Sequence, residues 1–170
     1  MGTVRARGAA PVNCETRMPI ENTIRTLNRL IRVCRDGEDF CGAAARGAAA
    51  AELGSVLRHR GEEWGRLGDE LQALVLLLRG EPATSATLAA RVRHWVLGAR
   101  LAALGAADAT IIAAWQGIER QAEARYLEAI EGYLPERIRR TVSLQADRVG
   151  GRAERIGDLL GHVALHSPSH

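Results

Sequence analysis

Apolar residues recur three and four positions apart along most of this chain, the spacing that places side chains on one face of an α-helix. The first run holds Ile24, Leu27, Ile31, Cys34, Cys41 and Ala45, and Glu38 occupies the slot between the two cysteines. It predicts a helix over about 22–46, capped by Asn22 or Thr23 and ending near Gly47. A second run, Leu53, Leu57, Arg60, Trp64, Leu67, Leu71, Leu74 and Leu78, predicts a helix over about 50–79 that Gly80 and Pro82 stop. Gly61, Gly65 and Gly68 share one face of it. Each glycine weakens a helix interior by about 1 kcal/mol, so either a neighbour approaches closely there or the composition drifts. Drift is the expectation.

After a linker at 81–85, Leu88, Val92, Trp95 or Val96, and Ala99 predict a shorter amphipathic helix over about 86–104. A third long helix starts at Asp108 and runs to about 132, with the stripe Ile112, Trp115, Glu119, Ala122, Tyr126, Ala129 and Tyr133. Pro135 suits the first turn of a fourth, about 135–163, striped by Ile138, Val142, Gln145, Val149, Arg152, Ile156, Leu159 and Val163. Residues 1–20 show no periodicity and read as a flexible tail, 21–164 as one bundle domain, and 165–170 as a frayed end. Organised sequence begins just after Met18, which makes Met18 as well as Met1 a candidate start. Four long seams near period 3.5 predict an all-α four-helix bundle. Tight turns after the first and third helices give two antiparallel hairpins. The long connection between them, with its own short helix, is the crossover of a ferritin-like plan.

Composition narrows the setting. A chain of 170 residues makes one domain with a real core, and 46% hydrophobic residues with only six aromatics favour helices over strands. The longest apolar run, LQALVLLL at 71–78, is too short to span a membrane, and the N-terminus shows no secretory leader. All 23 basic residues are arginine, which with the alanine and glycine excess reads as drift in a high-GC genome. The net charge is +3, and the arginines are spread among acids on every helix, which argues against a nucleic-acid partner. Of Cys14, Cys34 and Cys41, the last two lie two helical turns apart, about 10 Å by rise and too far to bridge. They are expected to be reduced core thiols of a cytoplasmic protein.

With the helices placed, the chain resembles the PA2169-type four-helix-bundle family, the DUF2383 group of ferritin-like proteins, over about 23–160. The resemblance rests on LNRLIRVCRDGEDF (27–40), GEEWGRLGDELQALVLLLRGEP (61–82), RVRHWVLGARLAALGAADATI (91–111) and WQGIERQAEARYLEAI (115–130), taken in that order. It implies a ferritin-like bundle and leaves the activity undefined.

A di-iron bundle draws carboxylates from two helices and a Glu-x-x-His pair from each of the others. No acid here has a histidine three residues on: Glu63 is followed by Arg66, Glu119 by Ala122, Glu123 by Tyr126 and Glu154 by Gly157. Folding the first hairpin about 48 or 49 sets Glu38 level with 59–60, where the seam residue is Arg60. Folding the second about 134 sets Glu119 level with 149, between Gln145 and Arg152. The favoured reading is therefore a buried ion-pair network of Glu38, Arg60, Glu119, Gln145 and Arg152 that specifies register, with no cofactor. The alternative is an unorthodox iron site built from Glu38, His59, Glu63, Glu119 and Glu123. The expected function is a non-catalytic interaction or stress-associated protein, acting on a protein partner or on a second copy of itself.

Overall fold

The computed structural model describes residues 14–83, 108–152 and 156. They form four helices: α1 (Cys14–Gly47), α2 (Ala51–Leu77), α3 (Asp108–Glu131) and α4 (Glu136–Val149). The chain is an all-α four-helix bundle, with α1 packed on α2 and α3, and α3 packed on α4. The short helix expected at 86–104 lies outside the described residues.

The start of α1 and the continuity of the fourth helix differ from expectation. α1 begins at Cys14, inside the stretch read as a tail, and runs through Pro19. Proline removes one helical hydrogen bond, but its own carbonyl is used, because Thr23 Oγ1 donates to Pro19 O at 2.8 Å. Ile20, Glu21 and Asn22 are exposed, so no buried stripe marks this part of the helix in the sequence. The fourth helix is interrupted after Val149, where Gly151 turns the chain with φ of 67°; Arg152 and the buried Ile156 are helical again, and the expected end near 163 lies outside the described residues. That left-handed conformation suits a residue without Cβ. Tyr133, expected in the α3 seam, is 72% exposed because the helix has ended, and Leu134 enters the core instead.

Glycine sets the α1–α2 contact. A Cβ on Gly54 would lie 3.3 Å from the Ala45 carbonyl, one on Gly61 3.4 Å from Cys41 Cβ, and one on Gly68 3.3 Å from Cys34 Cβ. The helices therefore approach along a seam of glycines, and drift is not the explanation. The descending pairing (54 with 45, 61 with 41, 68 with 34) makes the hairpin antiparallel. On α1, Gly37 lies under the Trp64 indole, where an added Cβ would come within 2.8 Å of the ring.

α2 closes with paired bonds, Arg79 N–H to Leu76 O and Gly80 N–H to Val75 O, both 2.9 Å, in which Arg79 takes the left-handed position at φ 57°. Gly80 itself is needed for contact, since a Cβ there would meet Ile24 at 2.8 Å. Asn28 then grips the departing strand of chain, donating to Glu81 O and accepting from Ala83 N–H. At the far end of the bundle, Asp108 accepts from the Ala49 and Ala50 amides at 2.8 and 2.9 Å. The carboxylate thus serves the positive start of α2. It also places the start of α3 beside the start of α2, so α2 and α3 run parallel, and the end of α2 and the start of α3 lie at opposite ends of the bundle.

These contacts separate two kinds of glycine. Gly37→Ala should lower stability by about 1–3 kcal/mol despite alanine's better helix propensity, because Trp64 must move. Gly117→Ala, where nothing lies within 4 Å, should raise it by about 1 kcal/mol. Urea denaturation of the two variants checks both signs.

Candidate functional site

The centre of the bundle is polar. Arg60 on α2 and Glu119 on α3 are 2% and 0% exposed. They meet as a two-pronged fork, Arg60 Nε to Glu119 Oε1 and Nη2 to Oε2, both at 2.7 Å. Trp115, one turn earlier on α3, donates its indole N–H to Glu119 Oε1 at 2.9 Å. The guanidinium lies 4.3 Å from the Trp64 ring centroid, stacked on the side chain one turn further along its own helix. Its remaining edge donates to Glu63 Oε2 at 2.9 Å. Glu63 in turn receives Arg152 at 3.0 and 3.3 Å, and the exposed His59 lies 3.7 Å away.

Burial by itself would lower the Arg60 pKa, but Glu119 and Glu63 more than offset it and hold the guanidinium above its ordinary value. Burial would likewise raise Glu63, but Arg60 and Arg152 more than offset it and hold the carboxyl below its ordinary value. Two arginines and two glutamates form a set that is neutral as a whole.

A second network lies one layer along. The Tyr126 hydroxyl, buried on α3, donates to Gln145 Oε1 at 2.9 Å, and Cys34 Sγ lies 3.3 Å from it. Gln145 Nε2 donates to the Leu67 carbonyl at 3.3 Å and to Glu70 at 2.8 Å. Residues from all four helices therefore meet at this level. Burial pushes the Tyr126 phenol well up, and it pushes the Cys34 and Cys41 thiols up to about 12. Both cysteines are free and stay protonated near neutrality.

Arg60 and Glu119 meet each other, Arg152 reaches the same cluster through Glu63, and Gln145 belongs to the Tyr126 layer. Glu38 does not pair with Arg60. It is half-exposed, held by Arg35 Nη1 at 2.7 Å, with its carboxylate over Gly65. Its axial level agrees with the sequence, since its carbonyl lies beside Gly61. Its direction does not: α1 packs on two helices, so the buried arc passes through Leu30, Gly37 and Ala44 and leaves Glu38 at the edge. Of the iron alternative's residues, Glu63 and Glu119 are taken up by arginines, His59 is 69% exposed, and Glu123 lies half-buried near Gly150. No group of three or more His, Cys, Asp or Glu residues converges as a metal could require among the described residues. Tyr126–Gln145 and Asp108 were not expected as linkages. Tyr126 and Gln145 are seam residues that a fold about 134 sets within one turn of each other, whereas nothing local marks Asp108 as serving another helix.

Fold and site together define a helical bundle centred on a neutral arginine–glutamate cluster. The family model Domain of unknown function (DUF2383) matches residues 22–132, and the chain belongs to that family. The matched stretch holds Arg60, Glu63, Glu119 and Tyr126, while Gln145 and Arg152 lie beyond it. No curated protein matches the chain.

Removing one partner of a buried pair strands the other. Arg60→Met and Glu119→Met should each cost about 3–5 kcal/mol in urea denaturation, and the double variant should recover much of that loss. The raised thiols contribute stability that is full below their ordinary pKa of 9.0 and lost as the pH rises towards about 12. In a Cys14→Ser background, Cys34 and Cys41 should resist a thiol reagent at pH 8 until the protein unfolds.

Proposed function

We propose that this chain is a non-catalytic bundle of ferritin-like plan, working as an interaction or stress-associated protein on a protein partner or a second copy of itself. The observation that carries this reading is the Arg60–Glu119 fork. Both carboxylate oxygens are engaged by one guanidinium, and Oε1 is shared with Trp115. A cation at the level where a bundle would hold metal repels a dication and occupies the oxygens it would use.

Parallel α2 and α3, with the end of one and the start of the next at opposite ends of the bundle, support the ferritin-like plan. Large apolar side chains left exposed on the second hairpin, Leu127, Tyr133 and Leu144, offer surface for a protein contact. The free buried thiols accord with a cytoplasmic setting. No helix among the described residues is long and apolar enough to cross a membrane.

Tag-free protein incubated with ferrous iron and desalted should carry well under one metal per chain by elemental analysis. Two irons per chain, lost on Glu119→Ala, would favour the di-iron alternative and overturn this reading.

A further inference from the structure

Outside the central fork, α2 and α4 border a cleft of about 340 Å³ whose charged lining is Arg60, Glu63, Arg66, Glu70, Arg148 and Arg152. That volume lies within the range of small-molecule sites, roughly 300–1,000 Å³. Its floor is the Arg60–Glu63 contact, with Arg60 already matched by Glu119 from behind. What remains is three guanidiniums, Arg66, Arg148 and Arg152, against the carboxylates of Glu63 and Glu70. The cations are in surplus.

The three arginines are held very differently. Arg152 is fixed in place: its Nε donates to the Arg148 carbonyl at 2.8 Å, and both Nη atoms face Glu63. Arg148 reaches Glu70 only at 3.6 Å, while Glu70 also accepts from Gln145 at 2.8 Å. Arg66 is exposed and has no ion pair among the described residues. Arg148 lies in the last turn of α4 and Arg152 just beyond the Gly150–Gly151 turn, so both guanidiniums line the same wall of the cleft. Several donors from two opposing walls are thus left without acceptors, around one fixed guanidinium.

We propose that this cleft binds a phosphate group, either free phosphate or the phosphate of a small organic monoester. A carboxylate offers two oxygens in one plane and satisfies a single arginine fork. A tetrahedral phosphate offers acceptors in several directions, which suits guanidiniums arriving from two helices, and its charge answers the surplus. The cleft is larger than phosphate itself, so an organic body fits beside Leu67. This goes beyond the interaction role above and does not depend on it.

The test is calorimetric titration of the full chain with inorganic phosphate, ribose 5-phosphate and acetate, at ionic strength matched with chloride. Saturable binding of either phosphate probe is expected, with acetate much weaker, and the tighter of the two names the source. Arg66→Gln and Arg148→Gln, both at exposed positions, should each weaken binding by about tenfold or more. Arg125→Gln, remote from the cleft, should leave it unchanged. Circular dichroism in phosphate-free buffer checks that each variant is folded. Absence of saturable phosphate binding, equal affinity in the folded Arg66 and Arg148 variants, or acetate binding as tightly would each overturn the proposal.

Discussion

The two-pronged bond between Arg60 and Glu119 is the constraint that organises this bundle. A guanidinium and a carboxylate this deeply buried are tolerable only together, because either one alone would be a desolvated charge. The pair joins α2 to α3, the two helices that run parallel and that no short turn connects. Axial slippage of one hairpin against the other would break the fork and expose both ions to an apolar wall. Trp64 and Trp115 enclose it, one beneath the guanidinium and the other bonded to the carboxylate. The apolar core supplies the bulk of the cohesion, and the ion pair selects one register from the many that an apolar seam would permit.

The links between the hairpins follow the same logic. Cys34 to Tyr126, Gln145 to Glu70, Arg152 to Glu63 and Asp108 to the first inter-helix turn are all polar and directional. Within the first hairpin, by contrast, cohesion comes from glycine-permitted contact and from Leu27, Ile31, Leu57 and Leu71. The first hairpin is thus held mainly by shape and apolar burial, while the placement of one hairpin on the other is specified by hydrogen bonds whose geometry admits little error.

The fold was largely legible because the apolar period is strong and the turns at 47–50 and 132–135 are short. The axial level of the central residues was legible too, since counting from a turn fixes depth at about 1.5 Å per residue. Azimuth was not. A seam read from apolar residues alone gives Gly37 no weight, yet glycine marks the deepest approach of α1 to Trp64, and Glu38 inherits the position only on paper. Gly61, Gly65 and Gly68 were misjudged for the same reason: absence of a side chain is silent in a hydrophobicity pattern but is what permits contact. Arg60 and Glu119 were legible as interior charges because polar residues interrupt otherwise regular stripes, but which acid met which base required the third dimension.

Asp108 on the Ala49 and Ala50 amides, and Asn28 on Glu81 and Ala83, fasten the two ends of the intervening chain at opposite poles of the bundle. The span between them is close to the length of α2, whose 27 residues rise about 40 Å. A fully extended chain covers at most about 3.3–3.6 Å per residue, so about 12 residues are the minimum that could join these anchors. The 24 residues from 84 to 107 are roughly double that minimum. Deletions in this stretch therefore have a geometric floor, set by the distance between the two anchors that guard the register.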